Sequence, residues 1–394
     1  MPRLPHTPSR RDLARFAAAL ALAGCAGGSG QPANAAERPK KREGGQRDWY
    51  DDAIVIDTCG GIGRFDPKTA NEDEITPLSA LDLQDVRESG VTAFNFTIDD
   101  VTNDEHSADH TFDSIGRFER EINAHPDTLM FVRSMADLRT AKATKRAGFI
   151  LGFQGATALG PRLERFEAFY GLGVRIMQLT YNVRNLLGDG CLESANAGLS
   201  ALGRSAVEQM NAKGVLIDLS HCGQRTTAEA IALSKRPVAI THTGCAALAD
   251  RPRNKRDEEM RACAEKGGVV GIYMMPFLRM QGQPTSDDVI AHVEHALQVC
   301  GEDHVSIGTD GTISPIELTP EFIAMHHKFV SDRVKQGIAA PGESADVYNF
   351  CPDLNTTRRF QTLGDKLLAK GHSEERVKKI LGGNFARLFG EVCG

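Results

Sequence analysis

"GVLIDLSH", residues 214–221, reads as a strand that is apolar on both faces. Val215, Leu216, Ile217 and Leu219 leave no polar side except Asp218, and the run stops on Ser220 and His221. Strands of that kind belong inside a parallel sheet whose faces are covered by helices. The next such run, "PVAITHT" (237–243), also carries a histidine near its end, His242, and "TAEAIALSK" (227–235) between them has helical period. Working outward in both directions gives six more runs: "AIVIDT" (53–58), "VTAFNFT" (91–97), "GFILGFQ" (148–154), "VRIMQLT" (174–180), "GVVGIYM" (268–274) and "HVSIGTD" (304–310). "LGRSAVEQMNAKG" (202–214) and "SDDVIAHVEHALQVCG" (286–301) read as helices, the latter with Ser286 as its expected N-cap. Strand and helix alternating eight times predicts an α/β fold, a (β/α)8 TIM barrel. A dinucleotide-binding sheet is disfavoured because no GxGxxG follows the first strand.

Chemistry in such a barrel collects at the C-terminal ends of the strands. Those ends read, in order, Cys59, Thr97, Gln154, Tyr181, His221, His242, Tyr273 and Asp310. Two histidines and an aspartate on strands five, six and eight form a metal or catalytic pattern. Neutral imidazoles suit zinc, and a carboxylate can ligate or carry a proton. Tyr181 and Tyr273 are candidate hydrogen-bond donors to substrate, as well as candidate packed aromatics. The first strand runs into "DTCGGIG" (57–63), a junction with one cysteine and two early glycines where a metal hydrolase would place ligands.

Bulk composition narrows the function. The chain has 394 residues, is 41% hydrophobic and 25% charged, and carries a net charge of −6. That is globular composition with no basic surface for nucleic acid. At 6% aromatic, with Trp49 the single tryptophan, a base- or sugar-stacking surface is also disfavoured. "SRRDLAR" (9–15) followed by "FAAALALAGC" (16–25) resembles a twin-arginine export signal ending in a lipobox, so residues 1–25 are read as a signal, with Cys25 as a lipid attachment point. Residues 26–47 read as a flexible tether and 48–394 as the barrel domain. Export implies a periplasmic protein whose membrane contact is the lipid anchor. Cys222, Cys245 and Cys263 are expected to be small buried residues.

"IDLSH" (217–221), "ITHTGCAALADRPRN" (240–254), "VSIGTDG" (305–311), "QLTYNVRNLLGDGC" (178–191) and "ILGGNFARLF" (380–389) together resemble the membrane (renal-type) dipeptidase family, amidohydrolase-like TIM-barrel zinc peptidases. The resemblance covers roughly residues 50–392. It implies that His221 and His242 are metal ligands, that Arg253 grips a substrate carboxylate, and that Asp310 is the catalytic acid/base. It also implies that Tyr181 stands where the family has a substrate-polarising histidine, with Asn182 beside it as a substrate contact. The family's strand-one His-x-Asp pair falls on Cys59 and Gly61, and its metal-bridging glutamate falls on Gln154. A glycine side chain cannot ligate and an amide is a weaker ligand than a carboxylate. The expectation is therefore at most one zinc ion, on His221 and His242, with Cys59, Gln154 or Asp310 as a third ligand. The reading is a dipeptidase-like hydrolase for a small peptide or amino-acid-derived amide bearing a carboxylate. The alternatives are a non-hydrolytic isomerase, lyase or tailoring enzyme on the same barrel, or a binding protein that has lost turnover.

Three further segments carry weaker expectations. "DDVTNDEHSADHTFDS" (99–114), with His106 and His110, reads as an exposed loop on the active face. The long insertion after strand eight (316–355) begins with a helix that places Phe322, Met325 and Phe329 on one face, as a lid or a homodimer contact, with His326 and His327 on its surface. "DKLLAKGHSEERVKKILGGN" (365–384) reads as two scaffold helices, the second capped by Ser373.

Overall fold

Eight parallel strands form in sequence order: β1 (Ile56–Asp57), β2 (Ala93–Thr97), β3 (Ala147–Phe153), β4 (Val174–Gln178), β5 (Leu216–Asp218), β6 (Ala239–Thr243), β7 (Val269–Ile272) and β8 (Val305–Ile307). Each pairs with its sequence neighbour, and every residue of β3 is buried, as expected for strands covered on both faces. The computed structural model describes residues 48–64, 77–99, 101 and 106–394. The expected signal and tether (residues 1–47) lie outside the described residues, as does part of the acidic stretch at 99–114.

The barrel closes where β8 meets β1. The Thr58 N–H donates to the Ile307 carbonyl (3.0 Å). The Asp57 carboxylate reaches across the seam and accepts from the Thr309 N–H (2.8 Å) and hydroxyl (2.6 Å). Gly60–Gly61 then pairs in parallel with Gly311–Thr312. A Cβ on Gly60 would lie 2.1 Å from Asp57 Oδ2, so the clasp itself demands glycine there. The seam brings Cys59 beside Asp310, whose N–H donates to the Cys59 carbonyl (2.7 Å).

The lower end of the barrel is sealed. Ile56, Ala93, Ile150, Ile176, Leu216, Ala239 and Val269 form an interior layer. The C-terminal helix Asn384–Cys393 packs Phe385, Leu388, Phe389 and Val392, at helical spacing, against it. The site is therefore confined to the opposite end. Leu129–Phe131 adds a short parallel strand on the edge of β3, which the apolar runs did not reveal. The helix Ser286–Cys300 is capped by Thr285 rather than Ser286, because Asp288 accepts from the Thr285 N–H (2.8 Å) and closes a capping box. Ser373 caps its helix as expected. His106 and His110 stand at the start of the helix Ser107–Ala124 rather than in a loop, and neither lines the cavity.

The insertion is a lid. Its helix, Pro320–Lys335, sits over the barrel mouth and contributes Phe329 and Arg333 to the cavity, with Glu343 and Asn349 following from the loop. The expected surface position of His326 is corrected. Its ring is buried, with Nε2 3.2 Å from the Ser344 carbonyl and 3.1 Å from that of Val347. His327 is exposed, as expected.

Candidate active site

Cys59, Gln154, Tyr181, Asn182, His221, Arg253 and Asp310 all line one cavity at the barrel mouth, about 880 Å³ including its opening. His242 lies directly behind His221, fully buried. Tyr273 is the exception. Its hydroxyl donates to Asn254 Oδ1, it is absent from the cavity wall, and its ring backs the Arg253 guanidinium at 5.7 Å. The direct substrate contact expected of Tyr273 is corrected to support of Arg253.

The two histidines meet Nε2 to Nε2 at 2.9 Å. Their far nitrogens show which lone pairs face each other. His221 Nδ1 lies 2.6 Å from Asn182 Oδ1. The Asn182 amide is oriented by the Ile338 carbonyl, which accepts from Nδ2 (2.9 Å), so Oδ1 is the atom facing His221. His242 Nδ1 lies 2.8 Å from the Thr241 hydroxyl, which gives its own proton to Asp218 Oδ2 (2.6 Å). Both neutral imidazoles are thereby fixed with hydrogen on Nδ1, and both Nε2 lone pairs point at one place. Burial pushes the affinity of both rings for a proton well below the ordinary range, and the Arg253 charge adds to the effect. Two lone pairs in contact are repulsive unless an electrophile sits between them. Nitrogens bound at about 2.0–2.1 Å to one tetrahedral ion stand roughly 3.3 Å apart, close to the separation seen here.

Further donors lie around His242. Cys59 Sγ, a His242 ring nitrogen and an Asp310 carboxylate oxygen lie within 4.8 Å of one another. Gln154 Nε2 bridges Cys59 Sγ (2.9 Å) and Asp310 Oδ1 (3.2 Å), so a neutral amide lies between the two. Burial raises the Cys59 thiol well above its ordinary value, and the Asp310 charge adds to that. Asp310 is pushed up to about 6 by burial, opposed by Arg253 and by the Gln154 hydrogen bond. Asp310 (φ 56°) and Asn182 (φ 46°) both hold left-handed backbone, a strain of about 1–3 kcal/mol each that clusters at working sites. The donors that converge within 4.8 Å, a His242 nitrogen, the Cys59 sulfur and an Asp310 carboxylate oxygen, fit a single soft-to-borderline divalent ion, and His221 adjoins them through His242 Nε2.

Arg253 turns an unpartnered donor towards the site. It is 2% exposed, Nη1 donates to the Ser220 carbonyl (3.0 Å), and Nη2 is buried with no hydrogen-bond partner. Phe96, Met275, Phe277 and Phe329 add apolar lining to the cavity. Arg333, Glu343 and Phe329 were missed as cavity residues. The signal was present: Phe322, His326, Phe329, Val330 and Arg333 follow the 3.6-residue period, so a basic residue sits on the buried stripe.

Residues 53–321 match the family model "Membrane dipeptidase (Peptidase family M19)". An amidohydrolase from Pseudomonas aeruginosa is 33% identical, with a TM-score of 0.72 over 87% of this chain and 98% of that one. Dipeptidase verJ from Clonostachys rogersoniana is 30% identical over 276 residues, 69% of this chain and 62% of its own length. A metallopeptidase from Rhodobacter sphaeroides, solved with a phosphinate mimic of the dipeptide L-Ala-D-Ala, shares the fold with a TM-score of 0.68 at 20% identity over 86% of this chain and 100% of that one. The family match spans more than half of the sequence and includes the strands that deliver His221, His242 and Asp310: the chain belongs to the membrane dipeptidase family, peptidase family M19.

Proposed function

We propose that the protein is a dipeptidase-like hydrolase that uses at most one zinc ion, held by His221 and His242 with Cys59 and Asp310 as further donors. The observation that carries this reading is the convergence of two Nε2 lone pairs at 2.9 Å, each fixed by a hydrogen-bonded Nδ1. A divalent ion bound there would acidify water and polarise a carbonyl. The protein's own groups do the rest. Arg253 Nη2 takes the carboxylate of a small peptide or N-acyl amino acid, which fixes the scissile amide over the cavity floor. Asp310 accepts a proton from the attacking water and delivers it to the amide nitrogen as the C–N bond breaks. The Phe277 and Phe329 wall accommodates an apolar side chain.

The test is turnover of a panel of dipeptides and N-acyl amino acids by zinc-loaded protein, with Asp310→Asn and Arg253→Met alongside. Hydrolysis that requires a free carboxylate and is lost in Asp310→Asn supports the reading. Metal binding without hydrolysis of any panel member contradicts it in favour of non-hydrolytic chemistry or binding alone.

The same proposal places the protein in the periplasm, tethered through Cys25. Among the described residues no helix is long and apolar enough to cross a membrane. Labelling with a palmitate analogue should mark the parent and not Cys25→Ala. An unlabelled parent would contradict the anchor.

A further inference from the structure

Arg333 enters the cavity from the lid, and the hydrolytic reading gives it no task. One edge of its guanidinium is committed. Nε donates to Glu343 Oε2 (2.6 Å) and Nη2 to Oε1 (2.9 Å), and Nη2 also reaches the Ile338 carbonyl (3.4 Å). Glu343 is committed in turn, since the Ala340 N–H donates to Oε1 (2.8 Å). The remaining nitrogen, Nη1, forms no hydrogen bond among the described residues. At 7% exposure the side chain has given up most of its hydration, and a guanidinium so placed is stable when its N–H groups find acceptors. The rings of Phe329 and Tyr181 lie against it, their centroids 5.3 and 5.9 Å from the guanidinium carbon. Nη1 is thus the part of this cavity-lining cation that no protein acceptor satisfies. The same holds at the barrel end, where Arg253 Nη2 is buried without a partner. The two cations flank one stack of rings. Arg253 is anchored on the carbonyl of Ser220, next to His221, and Arg333 faces Tyr181, whose ring stacks on His221 with centroids 4.2 Å apart. Among the described lining residues the carboxylates are Glu343, already bonded to Arg333, and Asp310, bonded to Gln154.

We propose that Arg333 is a second carboxylate receptor, and that the substrate class is a small peptide or N-acyl amino acid with an acidic side chain, whose two carboxylates meet Arg253 and Arg333 across one cavity. This rests on the reading above for the seat of the first carboxylate. A carboxylate offers Nη1 a full charge and acceptor-only oxygens. A side-chain amide of the same shape offers one neutral acceptor, and an ammonium meets like charge. Arg333 is therefore a specificity-determining residue: it selects which small amide enters, and it takes no part in moving the proton or breaking the bond.

The experiment is isothermal titration of the chelator-treated full chain, where turnover does not interfere, with matched dipeptides that differ in one group: Ala-Glu against Ala-Gln, and Glu-Ala against Gln-Ala. In at least one pair the acid should bind about tenfold or more tightly than the amide. The double variant Arg333→Gln/Glu343→Gln removes both charges and keeps hydrogen-bonding groups at both positions, so no lone carboxylate is left buried in the lid. Its preference should fall below about threefold. Acid and amide are compared within each protein, so any loosening of the lid acts on both alike. Arg333→Lys keeps the charge and loses the fork, and should give an intermediate preference. Acid and amide binding equally to the parent, or a preference that survives in the double variant, would overturn the proposal. The zinc-loaded parent, assayed on the same four dipeptides, separates this proposal from the reading it rests on. Hydrolysis with no acid preference in kcat/KM overturns the second receptor alone. Preferential binding of the acid with no hydrolysis of any of the four overturns the hydrolytic reading and leaves the receptor role of Arg333 standing.

Discussion

Restoring a carboxylate at the amide bridge is the sharpest perturbation of the site. In Gln154→Glu, an oxygen replaces the Nε2 that now lies 3.2 Å from Asp310 Oδ1. Two full charges at that distance repel by about 5 kcal/mol at an effective dielectric constant of about 20. Asp310 already titrates at about 6. Holding one proton on the pair at pH 7 therefore costs only about 1.4 kcal/mol. Protonation wins, and the metal-free variant should carry a shared proton that the parent lacks, with its stability lowered by about 1–2 kcal/mol. An incoming ion must expel that proton and gains an anionic ligand in return. Zinc affinity should rise at least tenfold, which is about 1.4 kcal/mol. Isothermal titration with zinc in two buffers of different ionisation enthalpy reads both quantities. About one extra proton released per ion bound, with tighter binding, is the expected result. Unchanged affinity and unchanged proton release would refute the idea that the amide at position 154 limits the charge this site can hold.

Three other outcomes follow from the same geometry. Asn182→Leu removes the acceptor that keeps hydrogen on His221 Nδ1 (2.6 Å), so zinc affinity should fall about 10- to 100-fold, measured by competition with a chelating dye; an unchanged affinity would show that the tautomer is set elsewhere. Arg253→Lys keeps the charge but loses the planar fork, so KM for a dipeptide should rise at least tenfold with a smaller change in kcat, and a dipeptide amide should discriminate far less between the two proteins. Burial raises Asp57 to about 7 against an ordinary value of 3.8, so the folded state binds this proton more tightly than the unfolded chain does. Its stabilising contribution is full below about pH 4 and is lost as pH rises through 7, with a ceiling of about 4 kcal/mol. Urea unfolding at pH 5 and pH 8.5 should show that loss in the parent and a flatter profile in Asp57→Asn; equal slopes would assign the pH dependence to other groups.

The barrel was legible because parallel strands buried on both faces leave continuous apolar runs, and a run's end marks the working face whatever the register. That is why His221, His242, Cys59, Gln154 and Asp310 could be placed at one end of the barrel before any geometry, whereas Arg253, in the loop after the sixth strand, was placed only through the family resemblance. Tyr273 shows the limit. Strand-end position says which end a residue occupies, but the hydroxyl's direction depends on where Asn254 sits in another loop. The lid shows a second limit. His326 was expected at the surface and Arg333 was given no place, whereas Glu343 and the Ser344 and Val347 carbonyls supply the partners that let both be buried. Those partners lie 10 to 21 residues further along an irregular loop, where periodicity carries no information. The role of Asn182 was hidden for the same reason, since its amide is oriented by Ile338, 156 residues away.

The hydrolytic reading requires a single metal ion at His221 and His242. Its most direct test is the metal content of the purified protein by plasma mass spectrometry after zinc loading and removal of excess, with His221→Ala measured beside it. One ion per chain in the parent and none in His221→Ala is the expected result. Two ions per chain would restore a binuclear centre despite Gly61 and Gln154, and no ion in the parent would rule out metal-assisted hydrolysis at this site.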